Sequence, residues 1–84
     1  MIKILDFYMQ NCAPCTALKP TLLQIRDEGT DVEFLDAMEN TEKAMKYGVR
    51  KAPTVVFVRE GEEVHRFIGV KSKEEILAIL EDLK

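Results

Sequence analysis

The chain has 84 residues, of which 46% are hydrophobic, and a formal net charge of −3. This length suits one domain with one modest core, so we expect a single domain over residues 1–84. Its basic residues form no run longer than two, which argues against a nucleic acid partner, and no apolar stretch approaches the roughly 20 residues of a membrane-spanning helix. Asp6 follows the start too closely for a secretory signal peptide, so we expect a cytoplasmic protein that works as a monomer without a membrane partner.

The first predicted elements are a strand and a helix. Residues 2–8 are apolar and rich in aromatic and branched side chains, which indicates a buried strand. Residues 16–26 repeat apolar side chains at helical spacing. These apolar positions are Leu18, Leu22 and Ile25. The only two cysteines, Cys12 and Cys15, therefore lie between the end of a strand and the start of a helix.

This position suits redox chemistry. A thiolate in front of a helix faces unpaired backbone N–H groups and the positive end of the helix dipole, which lower its pKa and make it a nucleophile. Cys12 and Cys15 are also close enough in sequence to close a disulfide, so the pair can carry two electrons. In a cytoplasmic protein such a pair is more often catalytic than structural.

Other uses of the two cysteines fit the sequence less well. Structural zinc needs four ligands, and the single histidine, His65, leaves a Cys/His set incomplete, so we expect no metal site. A purely structural disulfide between Cys12 and Cys15 would close a very small loop and would constrain the unfolded chain little.

The rest of the chain predicts three strands and two helices. In order, they are a strand at 32–36, a short helix ending at residue 47, strands at 54–58 and 64–68, and a helix after a capping box at 72–75. Because a helix joins the first two strands, they should be parallel, whereas the last two form an antiparallel pair. The order β-α-β-α-β-β-α predicts an α/β fold with a four-stranded mixed sheet and three flanking helices.

Pro53 stands directly before the predicted central strand. Proline cannot donate a ladder hydrogen bond, and a rigid trans proline at the start of the strand is one interpretation. The other is a cis Ala52–Pro53 bond, because proline is the residue for which the cis form costs little.

These features together resemble the thioredoxin family over nearly the whole chain. The similar parts are the strand at 4–8 with the motif at 12–15 (Cys-Ala-Pro-Cys), Pro20 five residues after the second cysteine, the segment 46–54 leading into the family's cis-proline, and Gly69 beside that site. The resemblance implies a thioredoxin-like fold in a minimal, glutaredoxin-sized version, and dithiol–disulfide exchange with protein disulfides.

The resemblance also implies the roles of the site residues. Cys12 would be the attacking thiol and Cys15 the more buried resolving thiol. Asp6 would be a buried carboxylate that assists proton transfer at Cys15. Read from the residues alone, Asp6 has a second interpretation, an outward-facing aspartate on an edge strand, because aspartate is rarely fully buried.

Five further residues acquire roles from the same resemblance. Pro14 would belong to the redox motif, and Pro53 would be the cis-proline. Ala13, Ala52 and Gly69 would contact the substrate.

Four residues depart from the family pattern. Ala13 replaces a glycine, and Asn11 and Tyr8 replace tryptophans. Phe34 stands where the family usually has a lysine near the buried acid. The sequence therefore predicts fewer aromatic side chains around the first cysteine and no strand lysine beside the acid.

The implied partners are a flavin-dependent thioredoxin reductase upstream and disulfide-containing proteins such as ribonucleotide reductase downstream, with no bound cofactor. One alternative is a glutathione-dependent glutaredoxin, although residues 68–72 (Ile-Gly-Val-Lys-Ser) lack that family's Gly-Gly-Asp-like stretch. Another is a metal carrier that binds Cu(I) through the two thiolates.

Overall fold

The computed structural model describes all 84 residues and contains seven regular elements. They are β1 (Ile2–Tyr8), α1 (Ala13–Asp27), β2 (Asp31–Asp36), α2 (Thr41–Lys46), β3 (Thr54–Arg59), β4 (Glu62–Ile68) and α3 (Lys73–Asp82). Their order is the predicted one. Helix α1 begins before the predicted Thr16 because Cys12 serves as its N-cap. None of the three helices combines the length and apolar character needed to cross a membrane.

The four strands form one mixed sheet in the order β2-β1-β3-β4. Strand β1 is parallel to β2 and antiparallel to β3, and β3 is antiparallel to β4, as predicted. The β3–β4 hairpin is tighter than the sequence suggested, because Glu60 and Gly61 adopt positive φ and allow Arg59 to pair with Glu62.

Successive side chains of β1 alternate between the two faces of the sheet, and each face has its own core. Helices α1 and α3 cover one face, where the core residues are Ile4, Leu18, Leu22, Ile25, Val32, Val55, Phe57, Phe67 and Ile76. Helix α2 contributes to the other, where they are Leu5, Phe7, Leu35, Ala37, Ala44, Val56 and Val58. Asp6 shares the face of Ile4, so its side chain is directed toward α1.

The start of α3 is fixed by the predicted capping box. The Ser72 hydroxyl accepts a hydrogen bond from the backbone N–H of Glu75 at 3.1 Å, and the Glu75 carboxylate accepts one from the Ser72 N–H at 3.0 Å. These bonds satisfy two donors that a helix end otherwise leaves unpaired. They also fix the helix register that buries Ile76 against the sheet.

We expect Ile76→Ala to lower the free energy of unfolding by about 2 to 5 kcal/mol, because the side chain is fully buried and its removal leaves a cavity. Leu77→Ala is the matched control, since Leu77 is the next residue of α3 and is 39% exposed. The control should lose about 1 kcal/mol or less. Urea unfolding monitored by circular dichroism measures both, and equal losses would contradict the assigned core face of α3.

Candidate active site

Cys12 and Cys15 form a disulfide, with their Cα atoms 5.2 Å apart. Cys12 is half-buried at the N-cap of α1, whereas Cys15, one turn later, is only 5% exposed. The Cys12 sulfur accepts a hydrogen bond from the Cys15 backbone N–H at 3.3 Å. Of the two residues, Cys12 is therefore the more accessible to another molecule, and its sulfur also contacts the helix N-terminus.

The first turn of α1 favours a negative charge at Cys12. Pro14 suits this turn because the N–H it lacks would have no partner inside the helix. The carbonyl of Cys12 accepts bonds from both the N–H and the hydroxyl of Thr16, each at 3.1 Å. The first turn holds no acidic residue that would oppose the stabilisation of a Cys12 thiolate by the helix dipole.

The loop before Cys12 is held by contacts that the sequence analysis missed. Asn11 has a φ of 56°, a left-handed conformation that asparagine tolerates better than most residues. The amide of Gln10 donates to the Asp36 carboxylate at 3.0 Å, which also accepts from the backbone N–H of Met38 at 2.9 Å. Both bonds lower the pKa of Asp36, and the bond from Gln10 has the larger effect. Asp36 therefore connects this loop to the end of β2.

Asp6 lies near the C-terminal end of the central strand β1, paired in register with Phe34 of β2 and Val55 of β3. The residue is 1% exposed, and its Oδ1 atom has no hydrogen-bond partner. Burial among apolar side chains disfavours the charged form and raises the pKa of Asp6 to about 6. The alternative of an outward-facing aspartate on an edge strand is therefore wrong.

A cavity of about 160 Å³ adjoins Asp6 and Cys15. Lys19 and Phe34 also line it, and the Lys19 ammonium lies 5.6 Å from the centre of the Phe34 ring. The positive charge of Lys19 lowers the pKa of Asp6, against the larger effect of burial. Phe34 on β2 stands where the family usually has a lysine, and in this chain Lys19 on α1 supplies the positive charge near Asp6 instead. Helical spacing offered a signal, because Lys19 follows Cys15 by one turn and lies on the same face.

The Ala52–Pro53 peptide bond is cis, and Pro53 is buried. Thr54, the next residue, pairs with Phe7, so Pro53 lies at the end of the sheet from which the loop after β1 leaves. The N–H of Gly69 donates to the Pro53 carbonyl at 3.0 Å, and Gly69 has a φ of 95°, which favours glycine. The structure thus places the Cys pair, Asp6 and the proline–glycine contact at one end of the sheet.

Small or apolar residues lie at the surface near the Cys pair and near the contact between Pro53 and Gly69. Ala13 and Pro14 are exposed in the first turn of α1, and Ala52 is half-buried. Ile68 and Val70, on either side of Gly69, are each 54% exposed, and the sequence analysis did not single them out. Such a surface suits contact with an apolar segment of another protein.

The structure groups no three His, Cys, Asp or Glu side chains in an arrangement that could hold a metal ion. The ring of His65, on β4, packs edge-on against Phe57 with centroids 5.6 Å apart.

The sequence matches the Thioredoxin family model over residues 1–82. A thioredoxin from Staphylococcus epidermidis is 32% identical over 83 residues, covering 95% of this chain and 80% of that protein. A thioredoxin from Bacillus subtilis is 36% identical over 76 residues, covering 87% of this chain and 73% of the relative.

Solved structures give the same result for the backbone. A mutant thioredoxin from Halobacterium salinarum aligns with a TM-score of 0.90 at 30% identity, covering 96% of this chain and 73% of that chain. The thioredoxin of Fasciola hepatica aligns with a TM-score of 0.85 at 32% identity, covering 95% of this chain and 79% of that chain. The sequence comparison and the backbone comparison therefore both find thioredoxins, over most or nearly all of the chain.

We expect Asp6→Asn to change how stability depends on pH. Because burial raises the pKa of Asp6 from 3.8 to about 6, the folded protein binds this proton more tightly than the unfolded chain does. The stability from protonated Asp6 is fully present below the unfolded pKa and is lost as pH rises through about 6. Relative to wild type, the uncharged variant should gain roughly 3 kcal/mol between about pH 3 and pH 8.

Urea unfolding of the oxidised proteins at several pH values measures this gain. Asp31→Asn is the control, because it makes the same chemical change at an exposed aspartate on β2. Parallel stability curves for Asp6→Asn and wild type would contradict the effect of burial on Asp6.

Proposed function

Because the chain belongs to the thioredoxin family and is a thiol–disulfide oxidoreductase, we propose that Cys12 and Cys15 perform the exchange in two steps. In the first, the Cys12 thiolate attacks a protein disulfide, forms a mixed disulfide and releases one substrate thiolate. In the second, the Cys15 thiolate attacks the Cys12 sulfur, which closes the Cys12–Cys15 disulfide and releases the second substrate thiolate. The observation that carries this assignment is the position of the half-buried Cys12 at the start of α1, in a disulfide with the buried Cys15.

Asp6 is the proton acceptor for Cys15 in this proposal. A buried thiol must lose its proton before it can attack, and burial in apolar surroundings opposes that loss. Asp6 and Cys15 line the same cavity, and a pKa of about 6 leaves Asp6 mostly ionised at neutral pH. An acceptor whose pKa lies near the working pH is well matched to this task.

The substrate would bind at the same end of the sheet. Ala13 in the first turn of α1, Ala52 before the cis Pro53, and Gly69 bonded to Pro53 would contact the substrate segment that carries the disulfide. The exposed Ile68 and Val70 support this assignment, because apolar side chains there would be covered by the bound segment.

The partners follow from the same chemistry. Disulfide-containing proteins are the substrates and a reductase returns the electrons, and we propose ribonucleotide reductase as one substrate and a flavin-dependent thioredoxin reductase as the electron source. A dithiol that reduces other proteins works where thiols stay reduced, which favours the cytoplasm. The match to thioredoxins does not favour the glutaredoxin and metal-carrier alternatives.

Single-cysteine variants test the two roles. Cys12→Ser should abolish exchange, whereas Cys15→Ser should accumulate mixed disulfides with substrate proteins, because the resolving step is lost. In the reduced wild type, brief iodoacetamide treatment should alkylate Cys12 at least about tenfold faster than the buried Cys15. Mass spectrometry detects both the mixed disulfides and the alkylated cysteines. Equal alkylation of the two cysteines, or mixed disulfides trapped by Cys12→Ser, would contradict the assignment.

The electron source can be tested with insulin reduction. We expect rapid turnover with NADPH and a thioredoxin reductase, and a rate at least about tenfold lower with glutathione and its reductase, because the chain is similar to thioredoxins rather than glutaredoxins. Dithiothreitol, which reduces the site chemically, is the control for an active protein. Faster turnover with glutathione than with thioredoxin reductase would refute the proposed partner.

A further inference from the structure

We propose that Lys19 is the positioning residue that holds the Asp6 carboxylate in its ionised, proton-accepting form across the cavity they share. This inference rests on the proposed role of Asp6 and adds a residue to it. Lys19 touches neither the substrate nor the disulfide in this assignment. It acts through its charge on the group that takes the proton from Cys15.

The geometry begins with α1. Cys15 and Lys19 are one helical turn apart and line the same cavity of about 160 Å³. The Lys19 ammonium lies 5.6 Å from the centre of the Phe34 ring, and Phe34 is the β2 partner of Asp6 in the sheet. The lysine is therefore held above the side chain next to the buried carboxylate, while its own position on α1 is exposed.

The surroundings of Asp6 explain why one charge matters. The sheet neighbours are Phe34 on β2 and Val55 on β3, and the titratable residues that line the cavity with Asp6 are Tyr8, Cys15 and Lys19. Lys19 is the charged side chain whose field acts on the pKa of Asp6, which it lowers, whereas burial raises that pKa more strongly. Because Asp6 Oδ1 has no hydrogen-bond partner, no protein donor stabilises the charge on that oxygen. Without Lys19, burial would act unopposed.

Arg26 provides an internal comparison. Its guanidinium lies 5.7 Å from the centre of the same Phe34 ring, also from α1, but Arg26 does not line the cavity. Removing Arg26 therefore takes a cation from Phe34 without changing the charge at the cavity. Comparing a variant that lacks the Lys19 charge with one that lacks the Arg26 charge therefore separates the effect of a charge across the cavity from the effect of a cation stacked on the ring.

Carbon-13 NMR of the Asp6 side-chain carboxyl, followed from about pH 4 to pH 8 in the oxidised protein, tests the proposal directly. The disulfide keeps both cysteines from titrating in this range. We expect Lys19→Met to raise the titration midpoint of Asp6 by about half a pH unit or more, because the charge is lost and the stem remains. Lys19→Arg should keep the wild-type midpoint, as should Arg26→Met. An unchanged midpoint in Lys19→Met, or an equal rise in Arg26→Met, would overturn the proposal.

Exchange kinetics separate this proposal from the function on which it rests. If Asp6 accepts the Cys15 proton, Lys19→Met should reduce insulin about twofold more slowly than wild type at about pH 6, since less Asp6 is ionised, and Lys19→Arg should not. Asp6→Asn should be slow throughout. If Asp6→Asn instead reacts like wild type, the proton-acceptor role of Asp6 fails, and the NMR midpoint still decides whether Lys19 controls the ionisation of Asp6.

Discussion

Strand β1 is hydrogen-bonded along both edges, to β2 on one side and to β3 on the other, and its side chains alternate between the two faces of the sheet. This constraint fixes much of the molecule. Alternation along β1 directs Ile4 and Asp6 toward α1, and Leu5 and Phe7 toward the side covered by α2. The strand then ends at the loop that leads to the Cys pair. The position of the disulfide and the burial of the carboxylate beneath it therefore follow from one strand.

Electrostatic effects act at two places in the site, at the start of α1 and at the buried Asp6. At the surface, the start of α1 favours a thiolate at Cys12. In the interior, burial favours the neutral form of Asp6, while Lys19 favours the charged form. Balanced in this way, the pKa of Asp6 lies close enough to neutral pH for the residue both to accept and to return a proton. A carboxylate that accepts two hydrogen bonds, such as that of Asp36, holds its proton too weakly for that work.

In the proposed exchange, the difference in exposure between the two cysteines determines which sulfur reacts first. A substrate disulfide would reach the half-buried Cys12 more easily than the buried Cys15, so the mixed disulfide would form at Cys12. Cys15 lies one helical turn away and needs no large movement to attack that bond, because the two Cα atoms are 5.2 Å apart when the disulfide is closed. Rigid placement on α1 thus turns the second step into an intramolecular reaction, for which no further association is needed.

The sequence by itself determined the order of the elements, the placement of the Cys pair where β1 leads into α1, and the capping box of α3, because each depends on residues within a few positions of one another. The family resemblance extended this to the fold. Only the tertiary structure decided that Asp6 is buried, since its strand could have been an edge until the pairing with Phe34 and Val55 was known. Likewise, the field of Lys19 on Asp6 and the bond from Gln10 to Asp36 join different elements across the fold. Chain folding sets such distances: helical spacing places Lys19 on the face of Cys15, but it gives no signal that Asp6, on another element, lies within reach of that charge.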